Sequence, residues 1–334
     1  MKDTVIPAAK ARPTSISNKS RDRATMPRLS HTKPSAVGAA RRTSVTVGEA
    51  IDACERALLK AGVYFGHGTD NARDEAAELV FFAARLAHAL GAGAYARPLT
   101  EAQRRRIDAL LGRRIAERRP LPYLTRRAFF AGLELYVDER VLVPRSPIAE
   151  LALNRFQPWV GARRVRRILD IGTGSGAIAL ACARAFPKAM VDAVDISPGA
   201  LQVSRRNVRR LGLEKRVQVR KSDTFSGVSG RRYDIIVSNP PYVGRAEMRG
   251  LPREYRFEPR LGLVSGADGL DAVRAIFEGA GRHLEAHGIL VVEVGNSEHA
   301  LLKAFPRLPF LWPEIAMGGG GIFILNARDL ALNG

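Results

Sequence analysis

Two short runs carry residue types that could act on one substrate. The first is Leu169-Asp170-Ile171-Gly172-Thr173-Gly174-Ser175-Gly176, between an apolar run and a helical pattern. Glycines tolerate positive φ and let the backbone approach a ligand closely. The start of the helix behind them offers unpaired N–H groups and positive potential. Asp195 ends the next apolar run, 21 residues after Gly174, where a carboxylate can accept hydrogen bonds from both hydroxyls of a ribose. Gly172, Gly174 and Ala177 with Asp195 also fit the dinucleotide fingerprint, so a nicotinamide or flavin site is a rival reading. Asp170, just before the glycines, can hold the amino group of a methionine-like ligand, which favours S-adenosylmethionine.

The second run is Ser238-Asn239-Pro240-Pro241-Tyr242, directly after the apolar stretch Tyr233–Val237. Ligands of open α/β sheets bind at the C-terminal ends of strands, so this run is expected beside the glycine turn. An amide or arylamine nitrogen is a poor nucleophile because its lone pair is delocalised. The Asn239 side-chain oxygen and the Pro240 carbonyl can accept both N–H hydrogens and return electron density to the nitrogen. Pro240 and Pro241 remove local freedom and donate no competing N–H. Tyr242 can stack on the planar target and face a positively charged methyl group. In-line attack then needs positioning more than acid–base chemistry. A proline-rich turn ending a strand is the bland alternative. Asp223 could reach an adenine amino group while Phe225 covers the ring, although an Asp that merely starts a turn would look the same. Glu258-Pro259 and Ser265–Gly269 can wall a substrate pocket. His67 and the other five histidines show no metal spacing and read as surface or capping residues, so no metal is expected.

These runs need elements to hold them. From about residue 165 onward strands and helices alternate, which implies a mainly parallel sheet. Strands are expected at 165–171, 190–195, 217–221, 233–238, 288–294, 310–316 and 322–326. The last two, separated by Gly318–Gly321, read as an antiparallel pair. Helices are expected at 148–156, 177–185, 198–211, 270–284 and 297–305. The long loop 239–269 is of a length that often carries function. Before the sheet come three helical patterns, 47–60, 72–90 and 101–118, with Leu79, Phe82, Leu86 and Leu90 spaced as a buried stripe. A hairpin follows around Phe129–Val137. The expected division is a basic tail at 1–44, a helical domain at 45–120, a hairpin linker at 121–147 and an α/β domain at 148–330.

Lys plus Arg total 53 against 33 Asp plus Glu, a net charge of +20. Such a balance suits contact with nucleic acid, ribosomal particles or acidic surfaces, and arginine-rich coding also produces it. Residues 1–44 hold ten basic residues and two acids. With no apolar period they cannot offset their ordering entropy and are expected to be disordered. An organellar transit peptide would look similar. A weak RNA contact is the expected use of this tail. Cys54 and Cys182 form neither a disulfide framework nor a metal spacing, so the cytoplasm is the expected compartment. No apolar run approaches ~18 residues, so no membrane span is expected.

Asp170–Gly176 with Asn239–Tyr242 resembles the class I methyltransferases that modify planar nitrogens. Pro122-Tyr123-Leu124-Thr125, Phe129-Phe130 and Val143-Pro144-Arg145 resemble the protein-glutamine N5-methyltransferases of the HemK/PrmC group. The stretch Tyr64–Asn71 with Asp74-Glu75-Ala76, the run from Tyr136 to Pro147, and the run from Leu251 to Leu263 resemble its PrmB branch. That branch methylates a glutamine of the third large-subunit ribosomal protein. The resemblance spans about residues 47–330. It implies a Rossmann-like α/β fold with a mixed seven-stranded sheet, order 3-2-1-4-5-7-6, and an N-terminal helical domain that recognises the acceptor. It also implies that Asn239 and Pro240 hold the glutamine amide, while Asp170, the glycines, Asp195 and Asp223 line a site for S-adenosylmethionine. Release-factor glutamine methylation and methylation of adenine N6 or guanine N2 in a nucleic acid are the alternatives, because their target nitrogens are equally planar. A non-catalytic assembly factor would not need Asn239–Tyr242 intact. The acids Asp70, Asp74, Glu75 and Glu78 are expected to form a patch that docks the free, basic ribosomal protein.

Overall fold

The computed structural model describes residues 44–87, 92–160, 165–316 and 318–331. The tail expected at 1–44 therefore lies outside the described residues, apart from Ser44, and so does Leu90.

Helix α1, Val47–Lys60, starts where Thr46 and Glu49 form a reciprocal capping box, which satisfies two backbone donors at once. Helix α2, Ala72–Ala84, is capped by Asn71, whose side chain accepts from Asp74 N. It stops six residues earlier than the apolar spacing suggests. Arg85 adopts a left-handed conformation at φ 57. Arg85 N donates to Phe82 O and Leu86 N to Phe81 O. This is a Schellman cap, usually made by glycine, here accompanied by burial of Leu86 and Phe81 in one cluster. Helix α3, Glu101–Glu117, has its own capping box from Thr100 and Gln103. The three helices bury Ile51, Leu58, Leu79, Val80, Ile107 and Leu110 together.

A short helix α4, Leu121–Thr125, was not foreseen. The hairpin follows as β1, Ala128–Phe130, and β2, Leu133–Leu135, paired antiparallel with Phe130 opposite Leu133. Its turn uses left-handed Ala131 and Gly132. Helix α5 covers Ile148–Leu153.

The sheet strands are β3 Arg167–Ile171, β4 Met190–Asp195, β5 Val217–Lys221, β6 Tyr233–Ser238, β7 Leu284–Glu293 and β8 Ile322–Asn326. Their order is β5-β4-β3-β6-β7-β8. All neighbours are parallel except β7 and β8. The four central strands are nearly continuous apolar runs, as a sheet covered on both faces requires. Helices α6 Ala177–Ala185, α7 Pro198–Arg210, α8 Asp271–His283 and α9 Glu298–Ala304 connect them, and α10 Ala327–Ala331 follows β8. The order matches the implied one. Among the described residues the sheet has six strands: the strand expected at 310–316 is not formed, and that segment meets β8 only through a bridge between Leu311 and Ile324. Pro309 and Pro313 flank this bridge; neither can donate to a ladder, so the pairing does not extend. Among the described residues no helix is long and apolar enough to cross a membrane.

The loop 239–269 is ordered. Val243 and Val264 form a parallel bridge, and short 3-10 turns occupy Glu247–Gly250, Arg253–Phe257 and Arg260–Gly262.

Candidate active site

Strands β3, β4 and β6 end at one edge of the sheet, where a cavity of about 530 Å³ opens. That size is typical of small-molecule sites. The glycine turn after β3 forms one wall. Gly172 and Gly174 sit at φ 72 and 55. A Cβ built on Gly172 meets no atom within 4 Å, and one on Gly174 meets only the Gly172 carbonyl oxygen at 3.9 Å. Both glycines line the cavity; side chains there would strain the backbone and fill the space a ligand needs. Gly176 has a different duty. At φ 86 it begins α6, and a Cβ would lie 2.8 Å from Ser204 Oγ on α7. It lets two helices approach and does not line the cavity.

Asp195 ends β4 at the cavity wall. Its carboxylate accepts from Gly174 N at 2.9 Å and Ser197 N at 2.8 Å, tying the acid to the glycine turn. Burial raises its pKa against these two hydrogen bonds. Asp223, after β5, is exposed and lines the same cavity. A glycine cradle beside a strand-end acid that can meet two hydroxyls fits an adenosyl cofactor.

Besides Gly176, two more expected cofactor residues stand elsewhere. Asp170 is buried beneath the glycine turn and is not part of the cavity wall. Its Oδ2 accepts from Thr173 Oγ1 at 2.6 Å and Ala179 N at 3.0 Å, while Oδ1 is buried with no partner among the described residues. Burial pushes its carboxyl up to about 7. Asp170 thus braces the turn from behind, where direct contact with a ligand was expected. Phe225 does not cover the cavity either. Its ring stacks on His283 at 4.4 Å and fills the space over Gly279 on α8. Apolar residues that do line the cavity include Ile196, which follows Asp195 and is 45% exposed, and Ile276 on α8. The position of Ile196, directly after a strand-end acid, was the available signal.

At the end of β6 the Ser238 hydroxyl donates to Ile171 O at 2.7 Å, linking the two strand ends. Asn239, Pro240, Pro241 and Tyr242 all line the cavity. The Asn239 side chain makes no hydrogen bond among the described residues and is half-buried. Tyr242 is fixed: its hydroxyl donates to Glu293 Oε1 at 3.1 Å, and its carbonyl accepts from Ser297 Oγ at 2.9 Å. The sequence motifs on β3, β4 and β6 thus meet in one cavity.

Residues 150–250 match the methyltransferase small domain family. A ribosomal protein uL3 glutamine methyltransferase of Xanthomonas campestris is 48% identical over 271 residues, 81% of this chain and 88% of its own length. That of Francisella tularensis is 44% identical over 270 residues, 80% of this chain and 86% of its own. The chain belongs to the ribosomal protein uL3 glutamine methyltransferase family. The cofactor of this family is S-adenosylmethionine. A weaker likeness is to the hMettl16 catalytic domain, with 18% identity and a TM-score of 0.45 over 57% of this chain and 74% of that one.

Residues from 64–71, 136–147 and 251–263 pack against each other, with Val143, Arg145 and Tyr255 on the cavity wall. Glu258, fully buried, accepts two hydrogen bonds from Arg145, at 2.5 and 2.6 Å, and one from Val143 N at 3.1 Å. Burial works against this carboxylate, but Arg145 and His67 beside it hold its pKa at about 2. His67 is itself buried, with Nε2 3.6 Å from Glu258, and is not the surface or capping residue expected. Glu293 receives Ser146 Oγ and Tyr242, yet burial pushes it up to about 7.

Of the four acids expected to form a docking patch, Glu75 and Glu78 are taken by internal ion pairs, while Asp70 and Asp74 are exposed. Glu75 is buried and bound by Arg114 Nε at 2.6 Å. Glu78 is bound by Arg127 at 2.6 Å. Asp74 accepts from Asn71 at the helix start. Spacing along a helix shows which acids are near each other in sequence, not which arginine arrives from another helix.

Proposed function

We propose that this chain methylates the side-chain amide nitrogen of a glutamine in ribosomal protein uL3, with Asn239 and Pro240 as the amide clamp. The observation that carries the reading is the Asn239 side chain, without a hydrogen-bond partner among the described residues and set in the same cavity as the glycine turn and Asp195. S-adenosylmethionine supplies a methyl group made electrophilic by its sulfonium. Gly172, Gly174, Asp195 and Asp223 form the cofactor side, with Ile196 and Ile276 against the base. The Asn239 oxygen and the Pro240 carbonyl would accept the two amide hydrogens, orient the nitrogen and offset the delocalisation that weakens it; as the nitrogen takes the methyl from sulfur, leaving the thioether, one of these protons would pass to solvent. Tyr242, held by Glu293 and Ser297, closes the wall behind the planar amide. The helical region, residues 45–120, receives the acceptor protein, and the α/β region carries the chemistry. The reading places the enzyme in the cytoplasm, acting on free uL3 before assembly buries it.

The test offers the purified enzyme labelled cofactor with free uL3, mature large subunits and a release factor. Mass spectrometry then locates the added methyl. Methylation of one uL3 glutamine in the free protein is expected. Preference for the release factor would overturn the substrate, and preference for mature subunits would overturn the timing.

A further inference from the structure

Pairing of Glu75 and Glu78 leaves Asp70 and Asp74 as the exposed part of the expected patch, a small docking surface. The mouth of the cavity offers an aromatic one. Tyr255, from the turn Arg253–Phe257, lines the cavity. Tyr64, from the stretch between α1 and α2, packs on it with ring centroids 5.7 Å apart and remains 38% exposed. Leu261, 60% exposed, lines the same mouth. In a chain of net charge +20, this is an apolar step that leads from the helical region into the site.

The step is held from behind by buried charges. Both backbone groups of Tyr64 are engaged: its N–H donates to Glu254 Oε1 at 3.0 Å, and its carbonyl accepts from Arg114 at 2.8 Å. Arg118 meets the same Glu254 oxygen at 2.8 Å. The Arg145 guanidinium lies 5.4 Å from the Tyr255 ring centroid, and His67 packs on that ring at 4.8 Å. The two carboxylates of this segment, Glu254 and Glu258, are thus already matched by arginines. A cationic side chain laid on the two rings would find Glu254 and Glu258 already paired and would face Arg145 and Arg118, which is costly. Flat tyrosine faces instead suit uncharged chain, including peptide planes, and give up little side-chain entropy on contact.

We propose that the uncharged segment flanking the target glutamine docks on a ledge formed by Tyr64 and Tyr255, so that the helical region takes part directly in acceptor binding. The proposal rests on the glutamine-methyltransferase reading. The charged alternative is Glu247, exposed at the same mouth on the turn Glu247–Gly250.

The experiment first establishes methylation of free uL3 by the unaltered enzyme; failure at this stage sinks the function and not the ledge. The acceptor KM is then measured for Tyr64→Ala, Tyr255→Ala, the double variant and Glu247→Gln, at about 50 and about 300 mM salt, a range over which surface charge effects fall strongly. Leu59→Ala, an exposed apolar change on α1 away from the cavity, is the control. Each tyrosine variant should raise KM about tenfold, the scale of a buried aromatic anchor. The double variant should fall short of the product of the two, because the rings share a contact. Cofactor affinity should hold, Tyr64→Phe should restore KM, and KM of the unaltered enzyme should move less than about twofold with salt. The Tyr64 main-chain bonds survive alanine, so its fold is retained. An unchanged KM in Tyr64→Ala overturns the ledge. So does a KM that rises steeply with salt and responds to Glu247→Gln as strongly as to the tyrosines.

Discussion

Replacing Asn239 with alanine separates the clamp from everything around it. The Asn239 side chain has no hydrogen-bond partner among the described residues, so its loss strands no buried group among them. The strand end is held independently by Ser238 on Ile171 and by Tyr242 on Glu293. The stability change should therefore stay within about 0.5 kcal/mol, the usual range away from core and network positions. Asp195 and the glycine turn are untouched, so calorimetry should give an unchanged cofactor affinity. The amide would keep the Pro240 carbonyl and lose one preorganised acceptor. Removing one such group costs about 2.7–4 kcal/mol, or roughly 10²–10³ in rate. Single-turnover transfer of labelled methyl at saturating cofactor reads this number without interference from product release. Asn239→Asp keeps an acceptor oxygen in place and should retain more activity than alanine. A rate within about threefold of the unaltered enzyme, on the same scale, would refute the clamp. A loss explained wholly by weaker cofactor binding would refute it equally.

Asp195→Ala should weaken cofactor binding by about 1.5–3 kcal/mol in calorimetry, the scale of hydrogen bonds to a charged group; unchanged affinity would remove Asp195 from the cofactor side. Arg114→Met leaves Glu75 and Glu254 facing each other with less compensation and should cost about 3–5 kcal/mol in denaturant unfolding. Arg105→Ala, which breaks the exposed pair with Glu101, should cost no more than about 0.5 kcal/mol. The carboxyl of Glu293 is raised from 4.5 to about 7 in the folded chain, so the folded state holds the extra proton between these values. That contribution is full below about pH 4.5 and is lost as pH rises through about 7. Glu293→Gln removes it, and unfolding followed from pH 5 to 8 should show a flatter decline for the variant, by up to about 3 kcal/mol. Parallel curves for the two proteins would show that Glu293 titrates normally.

The parts of the molecule that the sequence made readable share one property: their chemistry and their local pattern coincide. Gly172, Gly174 and Asp195 stand at the ends of apolar runs whose period already places them at strand termini, and Asn239 follows such a run directly. The parts that escaped are fixed by residues far away in the chain. Phe225 follows Asp223 where a ring could cover a base, yet the slot over Gly279, 54 residues later, takes the ring into the core. Helix α2 ends on a left-handed arginine where glycine would have announced the cap. Glu75 looks like a surface acid because nothing near it in sequence signals Arg114, 39 residues on. The same holds for the turn Arg253–Phe257, positioned by Arg114, Arg118 and the Tyr64 backbone from the helical region. This division follows function. A cofactor shared by many enzymes can be met by short motifs at strand ends, because the sheet alone orients them. An acceptor protein must be met by a surface assembled from separate segments, and long-range buried ion pairs set its shape without leaving a periodic trace. A chain with the same glycine turn and the same Asn239–Tyr242 run, but without Glu254 and Glu258 to anchor the loop, would keep the proposed cofactor side and lose the cavity wall that the proposal gives to the acceptor.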